Sequence, residues 1–159
     1  MLFRSMPTYQ RFTEMEIWQK MSLVKDLYEL TKSGPFSRDW ALKDQLRRAS
    51  ISIPCNIAEG FERGGNKEFI QFLSYAKGSA GEVLTQMHIA YELDNLSKED
   101  FNKFEKRVTR ISYMLGGFMR YLKRSGQKGA KYRPKNRVGN HSPYTSIQPE
   151  FYASLIFDL

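Results

Sequence analysis

With Cys55 as its sole cysteine, the chain can close no disulfide on itself and build no cysteine-rich metal cluster. Histidine is nearly as scarce: His88 and His141 stand without a second ligand at metal-binding spacing. No run of about 18 apolar residues exists, so nothing in the sequence reads as a membrane span. The opening Met1-Leu2-Phe3-Arg4-Ser5-Met6-Pro7 lacks the continuous apolar core of a signal peptide. A cytoplasmic protein is expected, with residues 1–11 as an unstructured leader, since Met6 and Met15 are alternative starts. Cys55, without a partner, is expected to be a small buried hydrophobe.

Catalytic constellations are missing too. The Glu-x-x-His pairs of di-iron bundles do not occur. Ser79 has no base at a useful spacing, and Gly78-Ser79-Ala80-Gly81 falls inside a helical pattern rather than on a strand-to-helix elbow. Gly60-Phe61-Glu62-Arg63-Gly64-Gly65 is glycine-rich but lacks the Gly-Lys-Ser/Thr ending of a phosphate loop. The expectation is a protein that is not an enzyme and uses no cofactor or metal.

Acidic residues are absent from one region. Arg120, Lys123, Arg124, Lys128, Lys131, Arg133, Lys135 and Arg137 follow one another without a single Asp or Glu between them. They carry the whole net charge of +8, for the rest of the chain balances. Such a run is either a solvated tail that aids solubility or a contact for a polyanion, of which RNA and DNA are the commonest.

What is present is helical periodicity. A first helix is expected from Glu14 to Thr31, with Ile17, Met21, Val24 and Tyr28 as its stripe, widened by Leu27 and flanked by Trp18, Leu23 and Leu30, and with Ser33-Gly34-Pro35 as its stop. A second opens near Ser37 or Asp39 and reaches Glu59, after which Gly60 and Gly64-Gly65 read as a loop and Asn66 as the cap of the third. The third carries Phe69, Leu73, Ala76, Ala80, Val83, Met87 and Ala90. The fourth carries Phe101, Phe104, Val108, Ile111, Leu115, Phe118 and Leu122, entered through Ser97-x-x-Asp100. Spacings of three and four are heptad seams, and the short connections make neighbours antiparallel. The fold class is therefore all-α, an up-down four-helix bundle. It should occupy residues 12–124, with residues 125–159 as a basic linker and a short apolar segment, Phe151 to Leu159, at the end.

The densest information lies in Arg47-Arg48-Ala49-Ser50-Ile51-Ser52-Ile53-Pro54-Cys55-Asn56-Ile57-Ala58-Glu59-Gly60. Pro54 has no N–H, so the carbonyl of Ser50 loses its helical partner at a cost of about 3 kcal/mol. Ser50 and Ser52 are expected to satisfy freed backbone groups. Arg47, Arg48, Asn56, Glu59 and Glu82 are expected on facing helices, either as a buried carboxylate–arginine pair that fixes register or as a ligand pocket around Arg48, Asn56 and Glu59. Ala76, Gly78, Ser79, Ala80 and Gly81 crowd five small residues together, which suggests a close approach of backbones, to the second helix or to another subunit.

Gln45-Leu46-Arg47-Arg48-Ala49, Ser52-Ile53-Pro54, Asn56-Ile57-Ala58-Glu59-Gly60, and then Phe69, Phe72-Leu73, Ala76 and Gly78-Ser79 form a distinctive series. It resembles the small four-helix-bundle family of proteins encoded in intervening sequences of bacterial 23S ribosomal RNA genes, over residues 12–124. That family is similar to the accessory variability proteins of diversity-generating retroelements. The resemblance implies a pentameric homo-oligomer that binds nucleic acid and partners a protein such as a reverse transcriptase. Together with the basic run, it makes a non-enzymatic, nucleic-acid-associated adaptor the leading expectation. The alternative is a protein–protein scaffold whose basic segment contacts an acidic partner without nucleic acid.

Overall fold

The computed structural model describes Tyr9, residues 11–125, Lys128 and Gly129. Of the leader expected at residues 1–11, residues 1–8 and Gln10 lie outside the described residues, while Tyr9 is half-buried against the core. His141, the cations Lys131, Arg133, Lys135 and Arg137, and the apolar C-terminal segment also lie outside them. Five α-helices follow in order: α1 (Glu16–Gln19), α2 (Ser22–Leu30), α3 (Trp40–Glu62), α4 (Asn66–Glu92) and α5 (Lys98–Arg124). The helices α3, α4 and α5 run up and down, and α1 with α2 supplies the fourth bundle position. Every residue of the two heptad seams expected on the third and fourth helices is buried.

The first bundle helix is not continuous. Met21 donates to the Trp18 carbonyl at 3.0 Å and Val24 to the Met21 carbonyl at 2.9 Å, a tight i→i+3 turn between α1 and α2. This turn shifts the phase of the apolar stripe. Leu23 and Leu27 are buried in α2, whereas the expected Val24 and Tyr28 are half-buried.

Asp39 caps α3 by accepting from the Leu42 N–H at 3.0 Å, and its other carboxylate oxygen accepts from Asn95 Nδ2 at 3.2 Å. That second bond ties the start of α3 to the α4–α5 loop. The loop itself ends α4 with Asp94 in the left-handed region at φ 56° and the Asn95 N–H bonded to the Ala90 carbonyl at 2.8 Å. Ser97 then caps α5 by accepting from the Asp100 N–H at 3.1 Å.

Two expectations about the α3–α4 connection fail for one reason. Gly60 is not in a loop: α3 continues to Glu62, and Gly60 lies where α3 and α4 come closest. A Cβ there would sit 2.6 Å from Phe72 Cβ and 2.8 Å from Phe69 Cδ2. Asn66 does not cap α4 either. Gly65 occupies the cap position, and Asn66, 6% exposed, donates from Nδ2 to the Leu122 carbonyl at 3.0 Å. Its own N–H is taken by the Lys128 carbonyl at 3.1 Å. The chain beyond α5 thus folds back on the Gly64–Gly65 turn and satisfies a donor that the first turn of a helix leaves open.

The small-residue cluster also splits differently. Ala76, Ser79 and Ala80 are buried, but Gly78 and Gly81 have nothing within 4 Å of an added Cβ. Within one chain no backbone approaches them, so the expected packing against α3 does not occur at these glycines. Gly78→Ala should therefore raise stability by about 0.5–1 kcal/mol, the helix-propensity difference alone. Urea unfolding of both proteins measures it, and a loss of stability would place another subunit against this face.

Candidate functional site

The motif around Pro54 resolves into a polar ladder. Asn56 Nδ2 donates to the Ser52 carbonyl at 2.8 Å and to Ser52 Oγ at 3.0 Å, and Ser79 Oγ reaches the same Ser52 Oγ at 2.9 Å. The ladder joins α3 to α4 beside the proline. Ser50 Oγ donates to the Arg47 carbonyl at 2.8 Å, one turn back along α3, and not to a carbonyl freed by Pro54.

The charged residues of the motif do not converge. Arg47 crosses to the end of α2, donating from Nε to Thr31 Oγ1 at 2.8 Å with its guanidinium 4.6 Å from the Tyr28 ring centre. A cation there also favours the negative end of the α2 dipole. Arg48 reaches Asp44 at 3.9 Å on the surface of its own helix. Glu59 pairs with Arg63 at 2.6 Å, again within one helix, and its hydrogen bond raises the Arg63 pKa. Glu82 is exposed. The expected buried carboxylate–arginine pair does not form: Arg48 and Glu59 are paired four residues away along α3, Arg47 turns to Thr31, and Glu82 is exposed. The pocket around Arg48, Asn56 and Glu59 is not assembled for the same reason. Cys55 points outward and is exposed, since Pro54 and Ile53 take the inward turn at that register.

Burial raises the phenols of Tyr121 and of Tyr9, the latter helped by Glu16 and Glu14, and Arg63 also moves upward. All three move away from neutrality, the wrong direction for acid–base catalysis near pH 7. Among the described residues no group of three His, Cys, Asp or Glu side chains comes together to hold a metal, and no helix is long and apolar enough to cross a membrane.

The basic run behaves otherwise. Arg120, Lys123, Arg124 and Lys128 are all exposed at the end of the bundle where α5 finishes and α4 begins. Among the described residues no carboxylate pairs with any of them. By contrast Arg107, in the middle of the protein, is held by Asp26 at 2.8 Å. Next to this end runs a groove of about 370 Å³ between α4 and α5, lined by Lys77, Arg120, Thr109, Ser112 and Tyr113 around Gly116. Of these only Arg120 stands out in the sequence as a candidate. The signal for the rest was a second stripe on α5, Thr109, Tyr113, Gly116 and Arg120 at spacings of four, three and four, beside the buried seam.

A model of the family described as 23S rRNA-intervening sequence proteins matches residues 13–117. The chain belongs to this family. The matched region takes in α1 to α4 and most of α5, including Lys77, Tyr113 and Gly116 of the groove, and stops short of Arg120. The fold is similar to that in a crystal structure of a protein of unknown function from the S23 ribosomal protein family of Bacteroides thetaiotaomicron VPI-5482. The two share 19% identity with a TM-score of 0.59, over 65% of this chain and 97% of that one. No curated protein matches the chain.

Proposed function

We propose that this member of the 23S rRNA-intervening sequence protein family is a non-enzymatic adaptor that binds RNA or DNA in the cytoplasm as a homo-oligomer. The observation that carries this reading is the set of unneutralised cations, Arg120, Lys123, Arg124 and Lys128, at the end of the bundle from which the remaining basic residues continue. Four exposed charges without counter-ions repel one another and lose that repulsion on a polyanion, with release of the condensed cations of the nucleic acid. The surface alone is also what a solubilising tail would show, and cations at the last turn of α5 suit its dipole. The family's description refers to 23S rRNA, an association that makes RNA the first polyanion to test. A pentamer, as the resemblance to accessory variability proteins implies, would present five copies of the basic segment and convert weak single contacts into avidity. A reverse transcriptase is the protein partner which the same resemblance suggests.

Replacing Lys128, Lys131, Arg133, Lys135 and Arg137 with serine tests the reading. Fluorescence anisotropy of labelled RNA and DNA across a salt series should show binding about ten-fold weaker. The log–log salt slope should fall by about 0.7–0.9 for each phosphate that is no longer neutralised. The helices of the bundle should be unaffected, since these residues lie beyond α5. A wild-type protein that ignores nucleic acid at low salt would overturn the proposal and leave a scaffold for an acidic protein partner.

A further inference from the structure

The groove between α4 and α5 has a construction that the bundle does not require. Its floor is Gly116, a residue in the interior of α5 where glycine costs about 1 kcal/mol against alanine. Packing does not demand that glycine: a Cβ there would meet only Lys77 Cε at 3.5 Å and Arg120 Nη1 at 3.6 Å, ordinary contacts with the ends of flexible side chains. The two neighbours are both cations, one from each helix, and they converge on the same point above the glycine. No carboxylate lines the groove, and neither cation has an ion pair among the described residues. Like charges brought together over an open floor are held apart only by solvent, and an anion between them removes the repulsion.

The other walls extend the anion site in one direction. Thr109 and Ser112 lie toward the N-terminus of α5, and neither hydroxyl is engaged by another described residue. Tyr113, one turn from Gly116, is 53% exposed, so much of an aromatic ring is open to solvent at the edge of the groove. At about 370 Å³ the space is at the small end of ligand sites, enough for about one unit of a chain. Paired cations for a phosphate, free hydroxyls and an exposed ring in sequence match the parts that proteins use to hold single strands.

We propose that the α4–α5 groove binds single-stranded nucleic acid, Lys77 and Arg120 gripping one phosphate above Gly116 while Tyr113 stacks on a neighbouring base. This assignment rests on the nucleic-acid reading above and locates a contact on the bundle itself, separate from the basic tail. The single strand is preferred because stacking on Tyr113 needs an unpaired base, which a duplex withholds.

The test uses the full-length protein, a fluorescein-labelled oligouridylate and a duplex of equal length. The expected result is tighter binding of the single strand. Tyr113→Ala should weaken it about ten-fold, within the range for loss of one stacked base, while Tyr113→Phe keeps it. Lys77→Gln with Arg120→Gln should reduce the salt slope by about 0.7 for each phosphate released from the groove. Gly116→Leu should fill the floor and weaken binding about ten-fold, with a melting temperature equal to or above wild type, because leucine is the better helix former. Single-strand binding that is unchanged in all of these variants but abolished by removing the five tail cations would overturn the groove and keep the adaptor reading. Wild-type protein that binds neither probe at low salt would overturn both.

Discussion

Phe69→Ala should lower the free energy of unfolding by about 3–5 kcal/mol, the largest single-residue effect expected in this protein. Phe69 is fully buried at the start of α4 and stands in the middle of an aromatic chain that crosses three helices. Its ring meets Phe61 of α3 edge-on at 6.1 Å and Phe118 of α5 edge-on at 5.4 Å. Phe12 continues the chain to the N-terminal segment through Phe61 at 6.4 Å. Truncation removes the buried ring, leaves a cavity bounded by rigid helices and ends both edge-to-face contacts at once. Small domains have about 5–15 kcal/mol in total, so a large part of the stability is at stake. Chemical denaturation followed by circular dichroism measures the loss. A change below about 1 kcal/mol would mean that the site collapses around alanine and that the aromatic chain is not a unit.

Gly60→Leu should be nearly as damaging, at about 3 kcal/mol or more, although it adds atoms rather than removing them. The obstacle is close to the backbone of α4: Phe72 Cβ at 2.6 Å and Phe69 Cδ2 at 2.8 Å from the new Cβ, with Phe69 Cα at 3.4 Å. A flexible side-chain end could turn away, but a Cβ moves only with its helix, so α3 and α4 must separate. Even Gly60→Ala should lose more through that clash than the roughly 1 kcal/mol it gains in helix propensity. Melting temperatures of Gly60→Ala and Gly78→Ala compared side by side isolate the effect, since the same chemical change should have opposite signs at the two positions. Equal shifts would mean that the α3–α4 contact yields easily.

That pair also shows what the sequence could and could not reveal. The buried seams of α4 and α5 were legible because hydrophobic spacing reports directly on which face turns inward. The Ser97 cap was legible, and the start of the second helix was narrowed to Ser37 or Asp39, because short polar side chains favour the position before an apolar run. Asn66, read by the same rule, is drawn to the Leu122 carbonyl instead. Glycines carry no such label. Gly60 reads as a loop signal and Gly78 as a packing signal, yet Gly60 is the close contact and Gly78 is open, because only the relative position of two helices decides it. Polar pairing was hidden likewise. Arg48 and Glu59 have i±4 partners, Asp44 and Arg63, that compete with any partner across the interface, and solvent-exposed pairs win by avoiding desolvation. The break between α1 and α2 leaves no proline or glycine to announce it. Of the candidate site, the run from Arg120 onward was visible as charge and Tyr113 shares a stripe with Arg120 on α5, whereas Lys77 becomes their neighbour only once α4 and α5 are laid antiparallel.

The return of the chain at Lys128 has a mechanical consequence. Gly129, at φ +100°, fits so tightly that a Cβ would lie 2.5 Å from the Gly64 carbonyl oxygen and 2.7 Å from the Asn66 nitrogen. Together with the Lys128–Asn66 bond, this seats the segment on the turn between α3 and α4 rather than leaving it to hang from the last turn of α5. A pull on the chain after Gly129 would meet this contact before it reached the last turn of α5. The point at which the chain leaves the bundle is thereby fixed relative to α3 and α4.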